Sequence, residues 1–326
     1  MARRRLLTGD ERRRLFDPPV QETAIIGHYT LSAEDVELVG RRYGPANRLG
    51  LAAQIALMRH PGFGLQPEIG LPDVILQYLA AQLFVDPSSF SAYGQRAQTR
   101  TDHADLVARY LGIRPFRRGD LALALNLAAQ AAEYTDRGEP IVRALMVGLK
   151  GERFILPSGD TLERAGLAGR ARARKAAAAA IVEGLSSAEL TRLDELVINN
   201  PDFGMTPLAW LRNFEEAPTA ANINGLLERL RYVRGIGIHP VVGGAIPEFR
   251  FAQFVREGGV APAFLLSDYS VNRRRATLTA AVIDLEARLA DAAIQMFDRL
   301  IGGMFTRARR GRCLLYTSPR PRDKRH

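Results

Sequence analysis

The stretch HYTLSAEDVELVGRRYGPANRLGLAAQIALMRHPG, His28 to Gly62, decides the fold class. Ser32 followed by Asp35 has the spacing of a capping box, in which a hydroxyl and a carboxylate satisfy free NH groups of a first helical turn. Val36 and Val39 then place apolar groups on one face until Gly44-Pro45 stops the helix. Leu51, Ile55 and Met58 carry the next apolar stripe at spacings of four and three, ending at His60-Pro61-Gly62. Two helices joined by a short glycine-containing turn make a helix-turn-helix-like unit. Arginines gather at the turn, either to meet phosphates or merely to finish helices.

Outward from this unit the same signals repeat. Helical patterns cover Pro72 to Phe84, Asp102 to Leu111 and Asp120 to Tyr134, and Pro140 opens another in IVRALMVGL. Ser186 with Glu189 caps a helix, Thr206-Pro207 starts a short one carrying Trp210, and Thr219 starts one whose Ile223, Leu227 and Leu230 line a face. From Ala276 to Ile301 there is neither glycine nor proline. There Leu278, Val282, Leu285, Leu289 and Met296 follow a near-heptad course. Strand material is confined to ERFILPSGD and to a glycine-broken stretch from Arg231 to Pro247. The expected class is mainly α: helical bundles in several domains with helix-turn-helix-like units, and at most a small β-hairpin near 152–160. Glycines, Pro157 and Ser158 between Gly151 and Gly169 mark the best boundary. It separates an N-terminal domain, 1–155 with a basic arm over 1–14, from a second region, 160–310 with the long helix 276–301. Residues 311–326 break every trend and read as a non-native or disordered tail.

The 47% apolar and 25% charged composition is that of an ordinary soluble chain. No apolar run is long enough to cross a bilayer, and the arginine-rich N-terminus develops no signal-type segment, so a cytoplasmic location is expected and no membrane partner. One cysteine, Cys313, makes no disulfide framework, and five scattered histidines offer no metal-ligand spacing. The formal charge of +10 is concentrated after Arg307, so local clusters rather than bulk charge must carry any polyanion argument. Arginine supplies all but three of the 45 basic residues; its planar fork suits phosphates and guanine edges, although a GC-rich coding sequence gives the same bias.

No catalytic constellation emerges. Asp194, Glu195, Asp284 and Glu286 lie on helices where solvated faces and ion pairs are their expected role. RGIGIHP lacks the third glycine and the preceding strand of a dinucleotide fingerprint, and no histidine is partnered with a serine or cysteine at a recognised spacing. No cofactor or small-molecule substrate is expected. Binding chemistry is better represented. In GRRYGPANRLG, Arg41 and Arg42 end one helix while Asn47 and Arg48 open the next, where asparagine suits adenine and arginine suits guanine or phosphate. The same residues also suit a helix C-terminus and an N-cap. Arg3 to Arg5 and Arg12 to Arg14 make a basic arm, the run from Arg170 to Lys175 has no compensating acid, and Arg273, Arg274 and Arg275 stand together. Several such clusters would engage a long duplex through many phosphates, with affinity falling as salt rises.

The opening stretch closely resembles the N-terminal region of the Tn-three family of bacterial replicative transposases. So do Gln82 to Phe116, LERAGLAGRARARKAA, LAWLRNF and RRRATLTAAVIDLEARLADAAIQMFDRLIGGMF, so the resemblance covers roughly residues 3 to 310. It implies a helix-rich, end-recognition part that binds double-stranded DNA at transposon terminal inverted repeats, in a bacterial cytoplasm and associated with the nucleoid. The family's catalytic half, an RNase-H-like fold with an Asp-Asp-Glu triad that would use magnesium, has no matching position, so this truncated chain is not expected to act as an enzyme. The implied contacts are Arg41, Arg42, Asn47 and Arg48, then Arg96, Arg100 and His103, then Arg170, Arg172, Arg174 and Lys175, and last Arg273 to Arg275. A homodimer is a further expectation. The rival is a helical scaffold holding partner proteins through the long helix, and an exposed apolar stripe there would favour it.

Overall fold

The computed structural model describes residues 5–65, 71–95 and 97–317, the last seven as backbone only. In chain order the helices are α1 (Gly9–Phe16), α2 (Glu22–Tyr29), α3 (Ala33–Gly40), α4 (Pro45–Arg59), α5 (Asp73–Leu83) and α6 (Ala97–Leu111). Strand β1 (Arg114–Pro115), α7 (Leu121–Ala132), α8 (Gly138–Gly151), β2 (Phe154–Ile155) and α9 (Gly159–Glu183) follow. The remainder is α10 (Ser187–Glu195), α11 (Pro207–Arg212), α12 (Ala220–Ile236), α13 (Glu248–Val260), α14 (Ala263–Ser267) and α15 (Val271–Thr317). The chain forms two compact units, one ending at Ala173 and the other beginning at Arg174.

The capping signals fold as their chemistry requires. Ser32 Oγ accepts from the Asp35 NH at 3.2 Å while Asp35 accepts from the Ser32 NH at 2.8 Å, and Ser186 with Glu189 repeats the exchange. Thr206 and Thr219 accept from the third residue of α11 and α12. In the first unit α4 is the central rod. Every residue from Leu49 to Met58 is buried, under α2, α3, α5 and α6. Gly50 makes this possible on one side, because a Cβ there would overlap the Tyr93 ring. A second core of the same unit joins Leu7 and Leu15 to α7, α8 and the start of α9, with Gly169 letting α9 lie directly on the Ala128 backbone of α7.

In the second unit α15 is the spine. Leu278, Val282, Leu285, Leu289 and Met296, the near-heptad set, are all buried against a core that includes α10, α11 and α12. Burial of a full Leu or Val side chain contributes ~1.5–3 kcal/mol, so this stripe is a substantial source of that unit's stability. On another side Gly258 brings α13 against the Thr277 carbonyl of α15.

Several expectations need correction. No hairpin forms near 152–160: β2 pairs in parallel with β1, because the chain after Pro157 is already entering α9, whose first turn Ser158 starts by accepting from the Thr161 NH. The stretch from Arg231 to Pro247 contains no strand either. Its first half completes α12, and His239 then caps a short 3-10 turn over Pro240–Ala245. Val36 lies outside the core, with only Val39 buried. The long helix exceeds 276–301 at both ends, passing through Gly302 and Gly303 and continuing into the first residues of the stretch read as a tail; residues 318–326 lie outside the described residues. Within the expected basic arm, Arg12 to Arg14 belong to α1, where Arg12 pairs with Glu163 and Asp160, Arg13 with Asp10 and Arg14 with Glu139. Arg3 and Arg4 lie outside the described residues.

Candidate nucleic-acid interface

The turn between α3 and α4 is built by its own side chains. Arg41 closes α3 as the C-cap and pairs with Glu37 at 2.6 Å. Gly44 sits at φ +81°, a left-handed conformation that other residues resist, and Pro45 then opens α4 at a position needing no NH donor. The N-cap is therefore Gly44 and not Asn47. Asn47 Nδ2 instead donates back to the Tyr43 carbonyl at 3.0 Å, and Arg48 Nε donates to the Arg42 carbonyl at 3.0 Å. Between these ties Tyr43 projects into solvent, 94% exposed. Arg41 and Arg48 are exposed as well, while Arg42 is half-buried with an Nε that has no hydrogen-bond partner among the described residues.

Sequence reasoning missed the network that ties α3 to α4 at the ends away from the turn. Asp35 is fully buried and receives the Arg59 guanidinium on both oxygens, one at 2.6 Å, and the Tyr110 hydroxyl at 2.8 Å, besides its cap bond. Burial alone would raise the Asp35 pKa, but the bonds from Arg59, Ser32 and Tyr110 outweigh it and hold the carboxyl below its ordinary value. The cap spacing of Asp35 was legible; its ion pair with Arg59 at the far end of α4 was not.

The second group stands beside the first. Arg100 donates to the Gly94 carbonyl, and its own carbonyl receives Gln54 Nε2 at 3.0 Å. His103 is buried, stacked on Tyr93 and hydrogen-bonded to the Tyr93 hydroxyl at 3.1 Å. Burial and then the nearby Arg42 charge push its pKa below the ordinary value, so at neutral pH it is a neutral core group and not a surface cation. Arg96 lies outside the described residues.

The third group divides between the units. In the first, Arg170 donates to the Asp136 carbonyl at 3.0 Å and Arg172 to Asn126 Oδ1 at 2.9 Å; in the second, Arg174 and Lys175 are exposed. The fourth is tied to acids. Arg274 and Arg275 each donate twice to Asp194, at 2.7–3.2 Å, and Arg273 pairs with Glu257 while lying 3.8 Å over the Tyr269 ring. Burial would raise the Asp194 pKa, but its bonds with Arg275 and Arg274 hold it down. Glu286 pairs with Arg234 and Asp284 with Arg288, as expected of helix-surface acids. Among the described residues no three His, Cys, Asp or Glu side chains gather to hold a metal ion, and no helix is long and apolar enough to cross a membrane.

Comparison with known proteins gives the chain a family. Residues 6–168 match the family described as a domain of unknown function, DUF4158. The chain is 32% identical over 309 residues to the transposase for transposon Tn501 of Pseudomonas aeruginosa. It is 33% identical over 309 residues to that for Tn3926, and 32% over 310 residues to that for Tn21, both of Escherichia coli. Each match covers 95% of this chain but 31% of the relative, so the chain spans about a third of the length of these transposases. The chain belongs to the DUF4158 family and is homologous along nearly its whole length to transposases of the Tn-three family.

Proposed function

We propose that this chain is the DNA-recognition part of a transposase and grips the terminal inverted repeats of its transposon, with the α3–α4 corner as the leading contact. The observation that carries the reading is the exposure of Arg41, Tyr43 and Arg48 on a turn that internal hydrogen bonds hold in one shape. Because α4 is buried from Leu49 onward, it cannot lie along a major groove; only its first turn can approach a duplex. Arg41 and Arg48 would then meet phosphates first and guanine edges second, the order in which most protein–DNA hydrogen bonds are distributed. Arg100, Arg170, Arg172, Arg174 and Lys175 would add backbone contacts. Arg273 to Arg275 would have to exchange Asp194 and Glu257 for phosphate, and are the weakest members of the set. Strand cutting and joining fall to other parts of a full transposase, and the protein would work at the nucleoid of a bacterial cytoplasm.

The test is a titration of the chain with its own transposon end and with a scrambled duplex, repeated across salt. Tighter binding to the true end, with log affinity falling linearly in log salt, is expected. Arg41→Ala with Arg48→Ala should weaken that binding by about 1–3 kcal/mol if either residue reads a base. Equal affinity of parent and double variant for the true end at every salt concentration removes the corner from the interface.

A second reading has its own observation. Ile294, Phe297, Met304 and Phe305 leave an apolar stripe exposed on α15, the feature that would favour a homodimer or scaffold role. Sedimentation of the parent and of Phe297→Ser would separate a self-associating chain from a monomer.

A further inference from the structure

A cavity of about 540 Å³ opens between α7 and the first turns of α9, on elements other than those of the α3–α4 corner. Its walls are apolar: Leu121, Leu125 and Ala165, with Phe116 at one end. Leu121 is 41% exposed at the mouth, although Ala124, Ala128 and Ala132, farther along the same side of α7, are buried. Three guanidiniums, those of Arg117, Arg118 and Arg164, rim the opening, and among the described residues no carboxylate lines it.

The charge of this rim is not neutralised from within. Among the described residues Arg164 donates to neutral oxygens, the Asp160 carbonyl and Thr161 Oγ1, both at 3.2 Å. Arg117 and Arg118 make no ion pair among the described residues. The adjacent acid, Asp120, is already engaged by the Arg114 guanidinium at 3.2 Å and by the Arg117 NH at 2.8 Å.

An apolar trough between two helices with a cationic rim is the complement of a third helix that is apolar on one side and acidic on the other. We infer that this groove docks an acidic amphipathic helix of a partner protein. The partner's apolar residues fill the space above Leu121, Leu125 and Ala165, and its carboxylates accept paired hydrogen bonds from the three arginine forks. A duplex fits less well, since its phosphate ridge offers nothing apolar to cover the floor. A small anion leaves most of the volume empty. The inference is independent of DNA binding at the α3–α4 corner.

The experiment uses the full chain and a fluorescein-labelled synthetic helix carrying Leu and Phe on one face and Glu on the other, followed by anisotropy. A control peptide keeps every Glu and replaces Leu and Phe by Ser. The first peptide should bind and the control should not. Arg117→Glu combined with Arg118→Glu should weaken binding by about tenfold or more, as should Leu121→Ser by a smaller factor, with helical content by circular dichroism unchanged because all three side chains are exposed. An excess of unlabelled inverted-repeat duplex should leave the peptide bound. Equal binding of the two peptides, equal binding of parent and arginine variant, or displacement of the peptide by duplex would each overturn the inference. Displacement would assign the groove to DNA, and no binding of the first peptide would also end it.

Discussion

The α3–α4 corner and the triplet Arg273 to Arg275 are alike in sequence, each a knot of arginines at a helix end, and opposite in physical state. In the triplet, two guanidiniums share one carboxylate contributed from 80 residues away, and Arg274 and Arg275 keep only 20% and 25% of their side-chain surface in water. They join α10 to α15 within one unit. In the first unit the buried charge pair, Asp35 with Arg59, ties the start of α3 to the end of α4, away from the turn, and Arg41 and Arg48 at the turn stay exposed. A cluster of arginines therefore states how much positive charge the chain places at one point. Whether that charge is offered to a ligand depends on acids that sequence proximity does not reveal.

The comparison can be broken or sharpened, starting with the largest expected effect. Asp35→Ala removes three partners of a buried network and strands the Arg59 guanidinium. Because Arg59 is itself partly hydrated, the loss should lie near the lower end for a broken buried pair, about 3 kcal/mol by urea denaturation. Asp194→Ala should cost somewhat less, about 2 kcal/mol, since Asp194 is itself partly hydrated whereas Asp35 is fully buried. If Asp194→Ala proved neutral, the triplet would count as free charge and the contrast between the two regions would fail.

Acid should act first on buried histidine and later on the two ion-paired carboxylates. His60 is stacked on His28 at 3.8 Å, and burial, with the charges of His28 and Lys150, lowers its pKa from 6.5 to about 4. A histidine kept neutral by folding gives stability that is present above pH 6.5 and is lost as the pH falls toward 4. Asp35 and Asp194 carry depressed pKa values, so their contribution is present above the ordinary carboxylate value of about 3.9 and lost below it. Stability measured from pH 7 downward should fall in two stages. His60→Gln should shrink the first, to which buried His103 also contributes, and leave the second. The smallest effect belongs to Arg41→Ala with Arg48→Ala, which should change stability by no more than about 0.5 kcal/mol, because each makes only an exposed contact.

What was legible in the sequence was whatever is local. Ser32 with Asp35, Ser186 with Glu189, Thr206, Thr219 and Gly44-Pro45 mark helix ends because a hydroxyl, a carboxylate or a ring acts within one turn. Leu278 to Met296 mark the spine of the second unit because burial repeats with the helix period. Long-range partners were not legible. The pairing of Arg114–Pro115 with Phe154–Ile155 is two residues long and parallel, too short to leave a period. His103 reads as a surface cation until Tyr93 and Arg42 close around it, and Arg12 reads as part of a loose arm until Glu163 and Asp160 arrive from α9. The exposed candidates Arg41, Arg48 and Arg172 were named from sequence. Tyr43, which projects between the first two, carried no signal beyond its place in a basic turn.

Trp210 is the one indole of the chain, and it lies face to face with Phe203 at 4.4 Å, edge-on to Tyr232, with the Arg229 guanidinium 4.6 Å from its ring. All of these neighbours belong to the second unit. Intrinsic fluorescence excited at the red edge of aromatic absorption is thus a built-in optical probe of that half alone, silent toward the half that carries the DUF4158 match.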